Sequence, residues 1–325
     1  QKAQFKVVID YGYGHASTVF PRILGKLGIE AVSLNAYIET SRAHKSELTR
    51  TQVLEQLSSI VTTLKSDLGV AVDSTGERLM VVDEKGGLWQ GAKLLVLFVT
   101  LVMQQNPEAL VTVPVSAPNL VRELAKKYGA RVILARTDSR SLTYTALLGD
   151  TRFHLAATSQ GEFSFPAFSS GFDGMFAFAK LLEMLCVTKR ALSDYESEIP
   201  EIYLRRYRVE CEISAKGRIM RGLLEKLSDR PLEVIDGVKV TERGGWVLVL
   251  PHRSLPEMQM WVEGDCDERV SELAEEYRSL ILSLAQEQVV PSVSEAHSAT
   301  VDDTDSTPSE VAALRASVVS DDRAF

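Results

Sequence analysis

The first part of the chain alternates between short apolar runs and longer stretches with helical periodicity. The apolar runs lie at residues 6–10, 31–34, 70–73 and 79–83. One helical stretch ends near Leu27, and a second extends from about Thr49 to Leu64. Because short apolar runs bounded by turn residues favour buried strands, this order predicts a βαβ unit extended by further strands. Residues 1–87, which end in a double-glycine turn, are therefore predicted to form one α/β domain.

A second α/β unit is predicted in residues 88–190. Its helices are predicted at 92–104, 117–128 and 172–185, and its strands at 109–113 and 131–134. A polar loop is predicted after the second of these strands. The polar, acidic segment 192–200 ends in a proline and is interpreted as a linker.

The pattern changes again after residue 200. Strands are predicted at 207–213, 234–240, 246–250 and 258–263, and helices at 217–227 and 267–284. Residues 200–286 therefore predict a compact α+β domain. Residues 287–325 are rich in Ser, Thr, Asp and Ala and contain few large apolar residues, which predicts a disordered acidic tail.

The composition is typical of a globular protein of two or three domains, since 45% of the 325 residues are hydrophobic and 25% are charged. The longest apolar run, 94–103, is about half of the roughly 20 residues needed to cross a bilayer, and no signal sequence opens the chain. We therefore expect a cytoplasmic protein without a membrane partner. Much of the net charge of −8 lies after Val289, where seven acidic residues accompany two basic ones. The remainder shows no long positive surface of the kind that binds nucleic acid.

The cysteines and the first residue of the chain add two expectations. Cys186, Cys211 and Cys266 are far apart and odd in number, so neither a disulfide framework nor a thiolate metal site is indicated. The chain begins at Gln1, and a predicted strand follows almost at once. We therefore expect a piece of a longer protein whose N-terminal part is missing, or a processed product.

Three loops next to predicted strands combine acidic, hydroxyl and basic residues. Residues 73–78 read Asp-Ser-Thr-Gly-Glu-Arg, residues 161–166 read Gly-Glu-Phe-Ser-Phe-Pro, and residues 250–256 read Leu-Pro-His-Arg-Ser-Leu-Pro. An Asp-Glu-x-Gly turn at 83–86 and the pair Asp173–Gly174 accompany them. Together these segments resemble the metal, sugar and phosphate loops of the α-D-phosphohexomutases, a family that includes phosphomannomutases and phosphoglucomutases.

This resemblance implies a fold and an activity. It covers about residues 6–284, which correspond to the second, third and fourth of the family's four domains, and it implies two three-layer α/β domains followed by the α+β domain. Family members move a phosphoryl group between the 1- and 6-positions of a hexose through a phosphoserine, with Mg²⁺ as cofactor. The Ser-His-Asn-Pro segment that carries this serine does not occur in the sequence. No catalytic residue is therefore assigned, although Arg78 matches a family arginine and is interpreted as a remnant.

The first loop resembles the family's metal loop, Asp-Gly-Asp-x-Asp-Arg. Three carboxylates at alternate positions hold Mg²⁺, a hard cation that prefers oxygen ligands. The resemblance implies Asp73, Thr75 and Glu77 as ligands here, but Thr75 offers only a neutral hydroxyl and Glu77 sets its carboxylate one methylene further out. We therefore expect Mg²⁺ binding to be weak or absent. The alternative interpretation is an acidic turn with no ligand.

The second loop resembles the family's Gly-Glu-x-Ser-Gly-His, whose Glu and Ser contact hydroxyls of the sugar. The resemblance implies Glu162 and Ser164 as sugar contacts, whereas Phe165 and Pro166 replace the glycine and the histidine. Loss of that histidine removes a candidate proton carrier near neutral pH. The alternative is a hydrophobic loop beneath a domain interface.

The third loop aligns with the family's phosphate loop, Arg-Pro-Ser-Gly-Thr-Glu-Pro. The alignment places Leu250 at the arginine and places His252, Arg253 and Ser254 at the serine, glycine and threonine. Phosphate recognition depends on a bidentate guanidinium and on backbone amides, and both are altered here. His252, Arg253 and Ser254 are therefore candidates for weak anion binding, and the alternative is a surface turn.

Three functions remain open. The preferred hypothesis is a catalytically degenerate region that binds a hexose phosphate and is attached in cis to an N-terminal sugar-1-phosphate nucleotidyltransferase of the mannose-1-phosphate guanylyltransferase type. The second is an active phosphomannomutase or phosphoglucomutase, an isomerase, once a phosphoserine domain is present. The third is a scaffold or oligomerisation module. Because phosphoryl transfer depends on positioning and charge stabilisation, substitutions in three loops at once argue against the second.

Overall fold

The structure is a computed structural model that describes residues 5–39, 47–148 and 153–286. The predicted disordered tail at 287–325 lies outside the described residues. The described strands form three sheets, two of five strands and one of four. No helix among the described residues is long and apolar enough to cross a membrane.

The first sheet has the strand order β2-β1-β3-β4-β5. Its strands are β1 (Lys6–Asp10), β2 (Glu30–Leu34), β3 (Leu68–Val72), β4 (Leu79–Asp83) and β5 (Leu88–Trp89). Strand β1 pairs in parallel with β2 and β3, and β4 and β5 extend the sheet in antiparallel fashion.

Helices α1 (Ala16–Leu27) and α2 (Glu47–Leu64) cover opposite faces of this sheet. Successive side chains of a strand point to opposite faces. Val7 accordingly packs in the same hydrophobic cluster as residues of α1, whereas Val8 packs in the cluster that contains residues of α2. The continuous apolar sequence of β1 is therefore explained by burial on both faces.

The second sheet has the order β7-β6-β8-β9. Its strands are β6 (Leu110–Pro114), β7 (Arg131–Ala135), β8 (Phe153–Ala157) and β9 (Phe163–Ser164). Its helices are α3 (Gly91–Gln105), α4 (Leu120–Tyr128), α5 (Ser139–Leu148) and α6 (Gly174–Thr188). Residues of α3, α4 and α6 share one cluster with the first sheet, while α5 packs on the other face. The apolar run 94–103 is buried throughout because it lies in α3, inside this shared core.

The third sheet is antiparallel and has the order β10-β14-β13-β12-β11. Its strands are β10 (Tyr203–Glu210), β11 (Leu232–Glu233), β12 (Val238–Glu242), β13 (Gly245–Pro251) and β14 (Glu257–Gly264). Helices α7 (Lys216–Lys226) and α8 (Asp267–Gln286) share a separate hydrophobic cluster with this sheet. This arrangement is the predicted α+β unit.

Two sequence predictions were wrong in detail. The polar loop predicted after β7 contains helix α5, and strand β8 follows residues 149–152, which the structure does not describe. The segment 192–200, interpreted as a linker, contains a short 3-10 helix at Leu192–Tyr195 and buries Leu192, Tyr195 and Ile199 in the shared core. The sequence did not indicate these three buried residues, because a few apolar side chains at irregular spacing give no periodic signal.

Candidate functional site

The loop 73–78 between β3 and β4 is closed by its first residue. Asp73 Oδ1 accepts hydrogen bonds from the backbone N–H groups of Glu77 and Arg78 at 2.9 and 3.1 Å. Asp73 Oδ2 accepts one from the Thr75 hydroxyl at 2.9 Å. Both oxygens of the carboxylate are therefore engaged within the loop itself.

The donor set of this loop does not fit Mg²⁺. Thr75 uses its hydroxyl to bind Asp73, and the only other carboxylate of the set belongs to Glu77, an exposed residue. Within the described parts of the chain, no group of three His, Cys, Asp or Glu side chains is placed to hold a metal ion. Because Mg²⁺ demands near-ideal octahedral geometry and gives up its waters reluctantly, we derive no metal-dependent step from this loop.

Arg78 links the first loop to the second. Its Nε and Nη2 atoms donate to Glu162 Oε1 at 2.9 and 2.6 Å. Thr158 and Ser139 hydroxyls reach Glu162 Oε2 at 3.0 and 3.3 Å. Glu162 is only 3% exposed. Glu162, the predicted sugar contact, therefore has protein partners on both carboxylate oxygens. Its partner Arg78 keeps 36% of its side chain exposed.

The backbone fixes this contact as well. Leu79 N–H donates to the Gly161 carbonyl at 3.0 Å, and Gly174 N–H donates to the Gly76 carbonyl at 2.8 Å. Gly161 has φ +81°, and a Cβ there would lie 2.3 Å from the Leu79 carbonyl oxygen. A glycine is therefore required where the second loop approaches β4.

Ser164, the other predicted sugar contact, is also turned into the protein. It is 1% exposed, and its hydroxyl donates to the Ser169 carbonyl at 3.0 Å. Phe165 is 7% exposed and packs 5.6 Å, centroid to centroid, from the ring of Phe176. These positions agree with the alternative of a hydrophobic loop packed under its neighbours.

The loop 250–256 between β13 and β14 is closed by His252. Its Nδ1 accepts hydrogen bonds from the N–H groups of Ser254 and Leu255 at 3.2 and 2.9 Å. Lys216 Nζ donates to the carbonyls of His252 and Leu255, both at 2.5 Å. Ser254, a predicted phosphate contact, is exposed, whereas the His252 ring nitrogen faces the turn.

Arg253, the third residue predicted to contact phosphate, lies near an acidic residue of the second sheet. Its Nη2 is 3.2 Å from Asp138 Oδ2, and Arg136 Nε is 3.9 Å from the same oxygen. Partial burial acts to raise the pKa of Asp138, but hydrogen bonds from Ser141 and the charges of Arg253 and Arg136 outweigh it and hold this pKa below its ordinary value.

Residues 138 and 139 connect the three loops. Ser139 contacts Glu162, which binds Arg78 of the first loop, and the adjacent Asp138 contacts Arg253 of the third loop. Sequence reasoning missed both residues because it assigned this stretch to a polar loop. A signal was present in the sequence, since an aspartate directly before a helix is a favoured capping residue. In the structure Asp138 precedes α5 and accepts a hydrogen bond from Ser141 N–H at 2.9 Å.

The third sheet is joined to the second by a buried polar cluster. Lys239 Nζ donates to the Val115 carbonyl at 2.8 Å and lies 3.7 Å from the centroid of the Trp246 ring. Trp246 Nε1 and the Asn119 backbone N–H donate to the Glu263 carboxylate. Burial lowers the pKa of Lys239 to about 8 and raises the pKa of Glu263.

Two further contacts cross the same interface. Arg122 Nη2 lies 2.7 Å from each carboxylate oxygen of Glu233. Asp236 Oδ2 accepts from both the N–H and the hydroxyl of Thr137, at 2.9 and 2.5 Å. The third sheet is therefore held against the second by contacts additional to the pair of Arg253 and Asp138.

The sequence and the three-sheet arrangement are similar to known proteins. Residues 1–87 match the family described as phosphoglucomutase/phosphomannomutase, alpha/beta/alpha domain II. A phosphoglucomutase/phosphomannomutase from Thermococcus kodakarensis is 27% identical over 284 residues, which cover 86% of this chain and 60% of that protein. A probable phosphoglucosamine mutase from Methanosarcina barkeri is 30% identical over 274 residues, which cover 83% of this chain and 61% of that protein.

The chain is similar to members of the α-D-phosphohexomutase superfamily. It spans about 60% of the length of the curated relatives named above. A crystal structure of a phosphoglucomutase/phosphomannomutase family protein from Burkholderia thailandensis matches this chain with a TM-score of 0.75 at 20% identity, covering 87% of this chain and 61% of that one. The predicted fold class is confirmed.

A second solved structure concerns ligands. The N-acetylphosphoglucosamine mutase of Aspergillus fumigatus, solved in complex with GlcNAc-6P and magnesium, matches with a TM-score of 0.60 at 12% identity and covers 87% of this chain and 62% of that one. At this identity the likeness concerns the fold. Magnesium is present in that complex of the Aspergillus fumigatus enzyme.

Proposed function

We propose that this chain is a mutase-like region that binds a hexose phosphate in the cleft between its three loops and carries out no mutase turnover. The observation that supports the proposal most is the contact series from Arg78 through Glu162 and Ser139 to the pair Asp138 and Arg253. It connects two arginines through one series of contacts, and guanidinium groups suit a phosphorylated ligand. The proposed limits of the regions are residues 1–87, 88–190 and 200–286.

Loss of turnover is proposed from the way each loop satisfies its own polar groups. Asp73 is engaged by Thr75 and two backbone N–H groups, and His252 takes up two amides of the third loop. Phosphoryl transfer needs charge stabilisation in place before the reaction begins. Internal hydrogen bonds in two loops would have to break first, so ligand binding is easier to retain than catalysis.

The ligand is proposed to sit closer to the arginines than to the family's sugar contacts. Glu162 and Ser164 are buried and already bound to protein groups, so neither is proposed to lead sugar recognition. Arg78 and Arg253 keep exposed side-chain surface, 36% and 76% respectively. The phosphate of the ligand is therefore proposed to provide most of the affinity.

The cellular context is proposed from resemblance. Mutase-like regions of this kind suit attachment to a sugar-1-phosphate nucleotidyltransferase of the mannose-1-phosphate guanylyltransferase type, where binding of a hexose phosphate would regulate nucleotide-sugar synthesis. A scaffold without any ligand is the second candidate, and the specific observation that favours it is the internal closure of two loops.

Calorimetric titration of the chain with mannose 1-phosphate and glucose 6-phosphate, with and without Mg²⁺, tests the proposal. We expect binding that Mg²⁺ does not strengthen. A coupled mutase assay on the longest natural polypeptide should show no interconversion of the 1- and 6-phosphates. Mg²⁺-dependent interconversion would establish an active mutase instead, and the absence of binding to either sugar would favour the scaffold.

A further inference from the structure

A pocket of about 510 Å³ lies between α3, α6, the start of β8 and the segment that follows β9. Its volume is within the range of about 300–1,000 Å³ that small-molecule sites usually have. The contact series that connects the three loops, from Arg78 to Arg253, is made by other residues. The pocket is therefore a second candidate site.

Phenylalanine rings form an aromatic wall of this pocket. The rings of Phe168 and Phe176 lie parallel, with centroids 4.0 Å apart and 2° between their planes. Phe165 meets Phe176 edge to face, with centroids 5.6 Å apart. Although Phe176 covers one face of the Phe168 ring, Phe168 is 61% exposed. The other face of that ring can therefore take a third ring, since planar aromatic groups pack well on one another.

Two amide side chains add hydrogen-bond acceptors to the lining. Gln105 Nε2 donates to the Met184 carbonyl at 3.3 Å, and Asn106 Nδ2 donates to the Val102 carbonyl at 2.9 Å. These bonds use the amide nitrogens, so the side-chain oxygens keep their capacity to accept. The two residues can therefore accept hydrogen bonds from N–H groups of a ligand.

His154 adds a donor to the same lining. Its Nδ1 accepts a hydrogen bond from the Leu110 N–H at 3.3 Å. In a neutral imidazole one nitrogen accepts and the other carries the proton, so Nε2 is the N–H of this ring. A ligand that has both N–H donors and ring-nitrogen acceptors would match this lining.

Lys180 places a positive charge at the pocket. Its Nζ lies 2.7 Å from Glu183 Oε2, and the two side chains are 29% and 60% exposed. Ion pairs that are open to solvent contribute little to stability, so the ammonium can exchange Glu183 for an anionic group of a ligand. The pocket thus combines an aromatic wall, both kinds of hydrogen-bonding group and one cation.

We propose that this pocket binds a nucleoside 5′-phosphate. The base stacks on Phe168, the amide oxygens and the His154 Nε2–H group bind its edge, and the phosphate pairs with Lys180. A purine is the preferred base because its edge carries amino donors as well as ring-nitrogen acceptors. The inference goes beyond the proposed function, since the hexose phosphate is proposed to lie between the three loops.

Calorimetric titration of the whole chain with adenosine 5′-monophosphate (AMP) and guanosine 5′-monophosphate (GMP) at fixed ionic strength tests the proposal. We expect at least one of the two to bind at a single site. Adenosine, which lacks the phosphate, and ribose 5-phosphate, which lacks the base, should both bind more weakly than AMP. Failure of the wild type to bind either nucleotide would overturn the proposal, and so would ribose 5-phosphate that binds as tightly as AMP.

The variant Phe168→Ala tests the stacking contact. It is expected to bind AMP about tenfold more weakly than the wild type, because stacking of a base on an aromatic side chain contributes about this much. Phe168→Tyr keeps a ring and should bind AMP like the wild type. The matched control is Tyr144→Ala in α5, which removes an aromatic residue that is 59% exposed and should leave AMP affinity unchanged.

Unchanged AMP affinity in Phe168→Ala would place the nucleotide elsewhere and overturn the proposal. The melting temperature of the variant shows whether it is folded. If it is not, Phe168→Leu, which removes the ring but keeps apolar bulk, gives the same comparison.

The variant Lys180→Met tests the phosphate contact. It is expected to weaken AMP binding about fivefold, in line with a partly exposed charge pair, and to leave adenosine affinity unchanged because adenosine carries no charge. Lys26→Met, at an exposed lysine of α1, is the control and should change neither affinity. Equal losses for AMP and adenosine in Lys180→Met would contradict the assignment of the phosphate to Lys180.

Competition with glucose 6-phosphate separates the pocket from the three loops. Saturating glucose 6-phosphate should leave AMP affinity unchanged, because the two ligands are assigned to different side chains. Displacement of AMP by glucose 6-phosphate would place both ligands at the three loops and overturn the pocket. Binding of AMP without any binding of glucose 6-phosphate would support the pocket and count against the proposed function.

Discussion

The loops 73–78 and 250–256 are closed in the same way but are held by different surroundings. In each, one side-chain atom accepts two backbone N–H groups: Asp73 Oδ1 in the first and His252 Nδ1 in the third. The first loop is also bonded to the segment between β8 and β9 and to the start of α6, through its backbone and through the buried Glu162. The third loop contacts the segment after β7 through exposed Arg253 and Asp138, whose side chain is 24% exposed.

This difference suggests which loop has kept the capacity to change. A loop whose backbone and side chains are fixed to a neighbouring sheet has become part of the framework. The third loop is held from within its own domain by His252 and Lys216, and its contact with the segment after β7 is a partly exposed ion pair, so separating it from that segment should cost less free energy. The first loop is therefore a structural joint between two sheets, and the third is the more adaptable part of the cleft.

The variant Arg78→Met tests, with the largest expected effect, whether the first loop is held more firmly than the third. Removing this guanidinium leaves the carboxylate of Glu162 buried with only hydroxyl partners, so the free energy of unfolding should fall by about 2–3 kcal/mol, less than for a fully buried pair because Arg78 is partly exposed. Urea denaturation measures the change. The matched control is Arg253→Met, at an exposed pair, which should cost less than about 1 kcal/mol. Similar losses in both variants would show that the two loops are fixed alike.

A second pair of variants compares the two acceptors. Asp73→Ala removes a charged acceptor that binds two N–H groups and the Thr75 hydroxyl, and it should lower the free energy of unfolding by about 2 kcal/mol. His252→Ala removes a neutral acceptor from an exposed turn and should cost about 0.5–1 kcal/mol. Thermal and urea unfolding of both variants measure the two losses of unfolding free energy. A larger loss in His252→Ala than in Asp73→Ala would show that the third loop is the more firmly held of the two.

A third prediction concerns the buried contact of Lys239, which joins the third sheet to the second. Burial lowers the pKa of Lys239 from 10.5 to about 8, so the folded chain releases this proton at a lower pH than the unfolded chain does. The free energy of unfolding therefore rises as the pH rises from about 8 to 10.5. Below the folded-state pKa, the buried charged ammonium has its whole destabilising effect.

The variant Lys239→Met lacks the titrating ammonium group and is the reference protein. The unfolding free energy of the wild type relative to Lys239→Met should rise by about 1–2 kcal/mol between about pH 7.5 and about pH 9.5. Urea denaturation of both proteins at the two pH values measures it. If the difference in unfolding free energy between the two proteins is the same at both pH values, the pKa of Lys239 is not lowered by burial at this interface.

The sequence predicted the location of the loops better than their contacts. Apolar runs such as residues 79–83 and 246–250 predict strands by local pattern, so the turns beside them are located correctly. The partner of Arg78 lies 84 residues further along the chain, and that pairing depends on how two sheets pack. Helix α5 was missed because its polar Ser and Thr residues mask the apolar spacing of Leu142 and Ala146.

Residue types alone do not determine the roles of these side chains, and the predicted ligand contacts stay predictions. Glu162 and Ser164 were predicted to contact sugar because they match a motif, yet burial and internal hydrogen bonds now occupy them. His252 was predicted as an anion contact for its type, whereas its ring accepts backbone N–H groups. Such roles follow from the direction of a side chain, which a single sequence does not contain.

The central claim is that the loops keep the mutase frame while their polar groups are satisfied internally, and the first loop tests it most directly. The double variant Thr75→Asp, Glu77→Asp adds to Asp73 to give a set of three aspartates, and its melting temperature with and without millimolar Mg²⁺ is compared with that of the wild type. We expect the wild type to be unaffected by Mg²⁺. We expect the variant to melt lower without the ion, because like charges crowd the loop, and to be raised when Mg²⁺ is added. A wild-type melting temperature raised by Mg²⁺ as much as that of the variant would contradict the account.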